Sequence, residues 1–273
     1  MVRFGQLVIG PAGSGKSTYC SQLQKYCEDV NRTIHVVNLD PAAENFDYKL
    51  SVDMRELISI DDVAEEMKYG PNGGLVFCME YLLDNFEWLE EQLEDFVDGD
   101  YICFDCPGQI ELYTHFSVMR KMVEMLQRLD FRLCALYFVD SQFMADTAKF
   151  FGGCTTALSA MVQLQITHIN VLSKMDLVRA VDRRRIDSFT HPDYDSLAAE
   201  LNTQVDKKFS GLNQALAALL EEYNMVSFVP LDYNEEDAVE NLLLQIDIAL
   251  NYDETVDPKM PSDDEVMDPE EAL

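Results

Sequence analysis

A glycine-rich segment at residues 10–17 constrains the fold of this chain more than any other feature. It reads Gly-Pro-Ala-Gly-Ser-Gly-Lys-Ser, a full match to the phosphate-binding pattern G-x-x-x-x-G-K-[ST]. An apolar run at residues 7–9 precedes it, and apolar residues at helical spacing follow it. In that order of strand, loop and helix, backbone N–H groups converge on phosphate oxygens at the positively polarised end of a helix. The segment therefore predicts binding of a nucleoside triphosphate.

The side chains of this phosphate-binding loop have separate predicted roles. Lys16 is expected to reach the β and γ phosphates, and the Ser17 hydroxyl is expected to bind Mg²⁺. The residues predicted to contact the nucleotide here are Gly13, Ser14, Gly15, Lys16, Ser17 and Thr18.

Short apolar runs that alternate with helical patterns predict the fold class. Such alternation favours a Rossmann-like α/β domain of the P-loop NTPase type, with a mostly parallel sheet and helices on both faces. The length suits one domain over residues 1–252. The predicted strands are residues 7–9, 34–39, 101–104, 133–139, 169–172 and 226–229.

Polar residues follow most of these runs. Asp40, Asp105, Asp140 and the segment 173–176 each come directly after or close to the end of an apolar run. In a parallel sheet the carboxyl ends of the strands meet at one edge, where ligands bind. We therefore expect these residues to face a common ligand.

Helical periodicity is strongest in four further segments, residues 54–68, 85–96, 114–129 and 235–252, with Asn234 as the expected N-cap of the last. A stripe with methionines at positions 122 and 125 in the third segment predicts core packing. Residues 142–164 hold several Phe and Met residues around two glycines. They predict either core packing or a groove for apolar peptides, since methionine packs adaptably.

The segment Asp105-Cys106-Pro107-Gly108 fits the D-x-x-G pattern of GTP-hydrolysing P-loop proteins. Asp105 is expected to hold the Mg²⁺ shell through water, and the Gly108 N–H is expected to sense the γ-phosphate. The next residue, Gln109, stands where a side-chain amide can orient the attacking water.

The segment Ser173-Lys174-Met175-Asp176 resembles the base-reading motif [NT]-K-x-D. The Asp176 carboxylate can accept from N1–H and the 2-amino group of guanine, whereas adenine offers neither donor. Lys174 would lay its aliphatic stem against the base. Ser173 replaces the usual Asn or Thr, and we expect its shorter side chain to tie this segment less well to the phosphate-binding loop.

The charge of the chain excludes some partners. Fifty acidic and twenty basic residues give a net charge of −30, which repels nucleic acids and anionic membranes. Residues 69–119 contain eleven acidic residues and no Lys or Arg, which predicts either an acidic face for a basic partner or a solubilising surface. No run of 18 apolar residues and no basic leader with a long apolar core occurs, so we expect a soluble protein without a secretion signal.

Residues 253–273 contain nine acidic residues, one Lys and three prolines. So little apolar surface cannot offset the entropy of ordering, which predicts a disordered acidic tail. The seven cysteines have no framework spacing and favour a reducing compartment. Cys103 and Cys106 have C-x-x-C spacing, but no second pair supports the alternative of zinc or redox chemistry.

Five segments taken in order resemble the GPN-loop GTPase family across residues 3–252. They are residues 10–17, 38–42 (NLDPA), 70–72 (GPN), 105–112 (DCPGQIEL) and 174–176 (KMD). As composition alone, Gly70, Pro71 and Asn72 predict only a turn. The amino-acid sequences of residues 70–80 and 140–143 are most similar to those of one eukaryotic branch of that family.

The resemblance implies a Mg²⁺-dependent GTPase that turns GTP into GDP and phosphate as a homodimer or as a heterodimer with a paralogue. It implies that Gly70, Pro71 and Asn72 of one subunit reach the phosphate site of the other, which suits a chain without an obvious arginine finger. Asp40 and Glu111 are then candidates for orienting water or the metal shell. The resemblance also implies a role in assembling RNA polymerase II, and also RNA polymerase III, in the cytoplasm before the polymerase is imported into the nucleus. The chain itself would then be cytoplasmic and would also shuttle to the nucleus.

Two other functions fit the same phosphate-binding loop. A nucleotide or small-molecule kinase would need an arginine-rich lid, for which Arg183, Arg184 and Arg185 are candidates. A nucleotide-dependent scaffold would bind nucleotide and barely hydrolyse it. Phosphate release without an acceptor would exclude the kinase, and insensitivity of hydrolysis to changes at Gln109 and Asn72 would favour the scaffold.

Overall fold

In the computed structural model, the described residues form one seven-stranded parallel sheet. The structure describes residues 2–96, 100–142, 146–179, 183, 186, 189, 192–223 and 226–252. The strands are β1 (Arg3–Ile9), β2 (Ile34–Asn38), β3 (Val52–Asp53), β4 (Tyr101–Asp105), β5 (Phe131–Asp140), β6 (Thr167–Ser173) and β7 (Phe228–Pro230). Their order is β3-β2-β4-β1-β5-β6-β7, and all neighbours are parallel, as predicted.

Helices fill most connections between these strands. Those among the described residues are α1 (Lys16–Asp29), α2 (Ile60–Met67), α3 (Pro71–Asp84), α4 (Phe86–Glu94), α5 (Glu111–Thr114), α6 (Val118–Arg128), α7 (Thr147–Leu164), α8 (Tyr194–Gln204), α9 (Ser210–Glu222) and α10 (Ala238–Leu250). Short 3-10 turns cover Met54–Glu56, Met175–Leu177 and Lys207–Phe209.

Strand β1 lies in the middle of the sheet and delivers the phosphate-binding loop to its centre. Val8 pairs with Asp105 of β4, and Ile9 pairs with Tyr137 of β5. The carboxyl ends of β1 and β4 are therefore level with the start of the loop, and β5 continues beyond Tyr137 to Asp140. The strands read as continuous apolar runs because helices cover the sheet on both faces.

Alternate residues of β1 enter two separate cores. Phe4 and Val8 pack with α1 and α10 on one side, which we call the α1 face, where Leu23 and Ile246 are fully buried. Side chains from α3, α4, α6 and α7 cover the opposite face. Its buried members include Leu7, Met79, Leu82, Phe104, Met122 and Phe150. The predicted packing of helices on both faces is confirmed.

An ion pair fastens the last helix to the α1 face. The two guanidinium nitrogens of Arg32 lie 2.6 and 2.8 Å from the two carboxylate oxygens of Asp247 in α10. The guanidinium also stacks over the rings of Tyr101 and Tyr252, 4.7 and 4.3 Å from their centroids. Bidentate geometry and two aromatic faces make this a strong local contact.

The helix boundaries differ from prediction where capping residues intervene. The segment predicted as one helix from residue 54 is a 3-10 turn followed by α2, because Ser59 and Asp62 form a capping box that begins a new helix. Helix α10 has Asp237 and not Asn234 at its N-cap position, so that prediction is wrong. The predicted helix from residue 114 begins later, at Val118.

The methionine stripe of α6 packs in the core as predicted, with Met122 buried and Met125 partly buried. In α7, Phe150 and Phe151 are buried in the core, so these side chains do not line a peptide groove. Residues 143 and 144 of that prediction lie outside the described residues, as does the predicted tail at residues 253–273. Among the described residues, no helix is both long enough and apolar enough to span a bilayer.

Candidate nucleotide-binding site

A cavity of about 590 Å³ opens at the carboxyl edge of the sheet, beside the phosphate-binding loop. It gathers four of the segments that the sequence singled out, which are separated by up to about a hundred positions in the chain. The lining residues are Pro11, Ala12, Gly13, Lys16, Ser17, Asp40, Ala42, Ala43, Ile60, Pro71, Asn72, Leu75, Asp105, Cys106, Gly108, Gln109, Ile110 and Glu111.

The glycines of the loop hold conformations that other residues rarely adopt. Gly10 has a φ of +136°, and a Cβ there would lie 2.5 Å from the carbonyl oxygen of Phe138. Gly15 has a φ of +95° and stands at the N-cap of α1. These positions require glycine because an L side chain would be strained or would collide with β5.

Lys16 is buried at the bottom of the cavity. Its ammonium group donates to the carbonyl oxygens of Gly10 and Pro11, both at 3.1 Å. Burial lowers the pKa of Lys16, and the carboxylates of Asp105 and Asp40 oppose that effect. Two uncharged acceptors thus hold the cation, and phosphate oxygens would be stronger acceptors for it. Ser17 and Thr18 follow as exposed residues in the first turn of α1.

Asp105 lies buried at the end of β4, near Ser17 at the start of α1. Its Oδ2 accepts a hydrogen bond from the Tyr48 hydroxyl at 2.6 Å. Burial raises the pKa of Asp105, while the hydroxyls of Tyr48 and Ser17 and the charge of Lys16 oppose the rise. Magnesium prefers a few protein oxygens together with phosphate oxygens and water, so this carboxylate and hydroxyl fit that ion.

Zinc does not fit the cysteines nearby. All seven cysteines are unbridged and buried, and within the described ranges no group of three or more His, Cys, Asp or Glu could hold a metal. Cys103 instead contacts Cys20 across the α1 face, with the two sulfurs 3.7 Å apart. Burial raises the pKa of the Cys20 thiol well above its ordinary value, so the thiol is unreactive.

A network of side chains shapes the loop that carries Asp40. Asn38 donates to the Asp40 carbonyl oxygen at 3.0 Å and to Asp53 at 2.8 Å, and accepts from the Asp40 N–H at 2.9 Å. The Asp40 carboxylate accepts from the Ala42 N–H at 2.9 Å. Burial raises the pKa of Asp40, and this bond, Lys16 and Arg55 oppose the rise. Asp40 therefore points into the cavity from a rigid loop.

The Gly-Pro-Asn segment begins a helix and does not form a simple turn. Gly70 is the N-cap of α3, and Pro71 is its first residue, where proline lacks only an N–H that has no intrahelical partner. Pro71 and Asn72 line the cavity of their own chain, with the N-terminus of α3 at its wall. The resemblance predicts that these residues reach a second subunit, and that remains a prediction.

Gln109 and Glu111 also line this cavity. The Gln109 side-chain oxygen is buried and has no hydrogen-bond partner among the described residues. Such an atom can accept a bond from a water or ligand in the cavity. Glu111 is the exposed first residue of α5. Gly108 is packed so closely that a Cβ would lie 2.8 Å from the Cα of Ala12.

The base-reading segment is joined directly to the phosphate-binding loop. The Ser173 hydroxyl lies 2.6 Å from the carbonyl oxygen of Ser14 and 3.1 Å from that of Val139. We expected the short Ser173 side chain to connect this segment poorly to the phosphate-binding loop, and that prediction is wrong. The Ser173 side chain is buried, and its hydroxyl already reaches the carbonyl oxygen of Ser14. Lys174 has a left-handed φ of +59° and pairs with Asp140 at 2.7 Å.

Asp176 lies in the 3-10 turn Met175–Leu177, directly after β6. The Met175 N–H donates to the Leu231 carbonyl oxygen at 3.2 Å, which connects this turn to the segment after β7. Arg183 contacts Asp232 in that segment and also the Met175 carbonyl oxygen. Arg183 therefore braces the base-reading turn, whereas Arg184 and Arg185 of the predicted lid lie outside the described residues.

Tyr48 was not identified from the sequence, because it acts through a contact that is distant in sequence and no local pattern marks it. Arg183 was predicted as part of an arginine-rich lid, and its contacts with Asp232 and the Met175 carbonyl oxygen were not predicted. The sequence gives only weak evidence for the role of Asn38, which is its position near the end of a predicted strand and two residues before Asp40.

Comparisons with known proteins agree with this geometry. A family model described as "Conserved hypothetical ATP binding protein" matches residues 8–252. Proteins named "GPN-loop GTPase 3" from Danio rerio and Dictyostelium discoideum are 49% and 48% identical over 266 and 257 residues. These matches cover 96% and 94% of this chain, and 93% and 90% of the relatives.

A solved structure gives an independent view of the fold. The crystal structure of a GTPase in apo form from Pyrococcus abyssi matches with a TM-score of 0.74 and 26% sequence identity. The match covers 90% of this chain and 97% of that one. The fold is therefore that of a P-loop GTPase, in agreement with the parallel sheet and the loop geometry.

Proposed function

This chain belongs to the GPN-loop GTPase family, and on that premise we propose that it hydrolyses GTP with Mg²⁺ at the cavity described above. The observation that carries the proposal is the convergence of Lys16, Asp105 and Gln109 on one cavity. Phosphoryl transfer depends on positioning and on charge stabilisation, and these three side chains supply both kinds of group.

The phosphate end of the site uses charge. Lys16 and the backbone of residues 13–18 would hold the β and γ phosphates. Ser17 and Asp105 would hold Mg²⁺, which neutralises charge that develops on the phosphate oxygens when it is bound. Asp40, held by Asn38, would orient the metal shell through water.

The hydrolytic step needs a positioned water. Gln109 can orient it because the side-chain oxygen is buried and unpartnered within the described part of the chain. The Asn72 amide can donate to the γ-phosphate or the leaving oxygen as charge develops there. Glu111, on the rim, is a second candidate for orienting water.

Specificity for guanine rests on Asp176 in this proposal. A purified-protein competition experiment tests it, with GTP, GDP and ATP competing for a fluorescent guanine nucleotide. Preference for GTP and GDP supports the proposal, and equal binding of ATP contradicts it. Phosphate release without any acceptor is the expected result that separates a GTPase from a kinase.

A dimer would cover an aromatic surface beside the site. Tyr69, Phe77 and Tyr81 form a row with ring centroids 5.8 and 6.2 Å apart, and Phe116 lines a cavity of about 430 Å³ together with Tyr69 and Phe77. Tyr69 is 49% exposed and Phe116 is 40% exposed. Exposed aromatic clusters are typical of protein interfaces, which supports a homodimer or a heterodimer with a paralogue.

Mixing two inactive variants tests whether Asn72 acts on a second subunit. Lys16→Ala removes nucleotide binding and keeps Asn72, whereas Asn72→Ala keeps nucleotide binding. If Asn72 acts across the dimer, an equal mixture recovers about a quarter of wild-type activity, since half of the dimers hold one complete site. If Asn72 acts only within its own chain, the mixture stays inactive.

The proposal extends to the client that the resemblance implies, RNA polymerase II and also RNA polymerase III. The nucleotide state would control assembly of the enzyme in the cytoplasm and its import into the nucleus. A net charge of −30 favours a protein partner with a basic surface over nucleic acid. When Lys16→Ala replaces the wild-type chain in cells, polymerase subunits should accumulate in the cytoplasm, and an unchanged nuclear distribution contradicts this part.

A further inference from the structure

Tyr48 links the predicted metal site to a loop that the nucleotide motifs do not include. It lies in the connection between β2 and β3, and its hydroxyl donates to Oδ2 of Asp105 at 2.6 Å. The two residues are 57 positions apart in sequence. The bond therefore depends on how the whole connection is folded against the site.

The first anchor of this connection is α1, the helix that follows the phosphate-binding loop. Ser21 donates to the Asp47 carbonyl oxygen at 3.0 Å. The Gln24 side chain makes two bonds with the Lys49 backbone, one to the carbonyl oxygen at 3.0 Å and one from the N–H at 2.8 Å. Residues on both sides of Tyr48 are thus fixed to the same helix.

The second anchor is Arg55. Its guanidinium lies 4.7 Å from the centroid of the Phe46 ring, and the Phe46 ring contacts the Tyr48 ring at 5.3 Å. Arg55 also pairs with Asp53 at 2.6 Å and donates to the Ala43 carbonyl oxygen at 2.7 Å. The same residues shape the Asp40 loop, so Tyr48 belongs to one connected assembly.

Because both flanks are fixed, the Tyr48 hydroxyl has little freedom and the Asp105 carboxylate cannot rotate freely about its last bond. We propose that Tyr48 is a positioning residue that orients Asp105 for Mg²⁺ and thereby sets how tightly the site retains Mg²⁺ with nucleotide. Partners of metal ligands commonly have this effect, and their loss weakens metal affinity by about 10- to 100-fold. The inference rests on the proposed Mg²⁺ site.

The test measures release of a fluorescent GDP at increasing Mg²⁺ concentrations in wild type and in Tyr48→Phe. The variant keeps the ring and its packing and loses only the hydroxyl. We expect the half-saturating Mg²⁺ concentration to rise about tenfold, with the melting temperature close to that of wild type. An unchanged or lower Mg²⁺ requirement overturns the inference, as does a change in melting temperature alone.

Two further variants keep the inference testable. Tyr26→Phe makes the same chemical change in α1, at a position outside the site, and should leave the Mg²⁺ requirement unchanged. If Tyr26→Phe raises the Mg²⁺ requirement as much as Tyr48→Phe does, Tyr48 has no specific role. Gln24→Ala loosens the loop and leaves Tyr48 intact, and should raise the Mg²⁺ requirement in the same direction. An unchanged Mg²⁺ requirement in Gln24→Ala would overturn the inference that the loop holds Tyr48 in place for this role.

These measurements distinguish failure of the proposed metal site from failure of the role of Tyr48. If wild-type release does not respond to Mg²⁺ at all, the proposed metal site itself is wrong. If wild type responds and Tyr48→Phe responds at the same concentration, the metal site stands and the role of Tyr48 is wrong.

Discussion

The Ser173 hydroxyl lies 2.6 Å from the carbonyl oxygen of Ser14, although the two residues are 159 positions apart in the chain. This contact joins the segment predicted to read the base to the loop predicted to hold the phosphates. Both ends of a nucleotide would therefore meet parts of the protein whose relative position is already fixed. Such preorganisation lowers the entropic cost of binding.

Asp176→Ala should abolish the preference for guanine. The carboxylate would make charge-assisted hydrogen bonds to the base, each worth about 1.5–3 kcal/mol, so the affinity for GDP should fall by about 100-fold. Competition between GDP and ADP for the purified protein measures the change. Asp195→Ala, an exposed position on α8, is the matched control and should bind as wild type does.

Gln109→Leu should slow hydrolysis and leave nucleotide binding intact. The change removes the buried oxygen that we expect to orient the attacking water, and losses of a single positioned polar group cost about 100- to 1,000-fold in kcat. Single-turnover phosphate release and GDP affinity measure the two effects separately. Gln127→Leu makes the same substitution at an exposed site on α6. Equal hydrolysis by all three proteins would favour a nucleotide-dependent scaffold.

Gly10→Ala should destabilise the fold more than Gly13→Ala. At Gly10 a new Cβ would overlap the Phe138 carbonyl oxygen, and φ is +136°. At Gly13 there is open space, and only the left-handed φ of +72° is unfavourable, at a cost of about 1 kcal/mol. Urea unfolding of nucleotide-free protein should show a loss of about 2 kcal/mol or more for Gly10→Ala. Equal losses would mean that the loop moves away from β5.

Arg32→Ala should weaken the attachment of α10. It leaves the largely buried Asp247 carboxylate without its bidentate partner and exposes the rings of Tyr101 and Tyr252, a loss of about 3 kcal/mol. The free energy of unfolding in urea measures it. If the ion pair is the cause, Arg32→Ala together with Asp247→Ala should cost clearly less than the sum of the two single changes.

His168 should make stability depend on pH in a defined window. Burial lowers its pKa to about 4 from an ordinary 6.5, with the Asn170 side chain opposing the shift. The unfolded chain therefore binds a proton below pH 6.5 that the folded chain does not bind, and stability falls as the pH drops from about 6.5 to 4. At pH 5 the contribution is about 1–2 kcal/mol, discounted for partial exposure.

His168→Phe keeps a ring against Tyr137 and removes the titration. Unfolding free energies of both proteins at pH 7.5 and pH 5 test the point. The variant should lose less stability between these two values than wild type does. Identical losses would mean that His168 is protonated equally easily in the folded and the unfolded chain.

Much of the fold follows from local sequence. Strands such as β4 and β5 are continuous apolar runs that end in Asp105 and Asp140, and a parallel sheet buried on both faces requires that pattern. The two-residue strand β3 was missed because it is too short to show a period. Helix α3 was missed because its first turn contains Pro71 and two glycines, and the helix depends on packing of Leu75 and Met79 in the core.

In the candidate site, too, local sequence predicts some features and misses others. Its phosphate and base motifs are contiguous in sequence, so their chemistry could be predicted before their positions were known. The role of Tyr48 could not be predicted, and Arg183 was predicted only as part of a lid, since each acts through a partner far away in the chain. The Ser173 expectation failed for a related reason, because the reach of a side chain depends on how close β6 comes to Ser14.

The pairing of α1 with α10 on one face of the sheet has a consequence for how this protein is made. Leu23 and Tyr19 of α1 lie in one buried cluster with Leu243 and Ile246, which are translated about two hundred positions later. During synthesis the helix behind the phosphate-binding loop keeps an uncovered apolar side until almost the entire described chain has left the ribosome. Nascent chains are therefore exposed to aggregation, and truncation before residue 250 should yield insoluble protein.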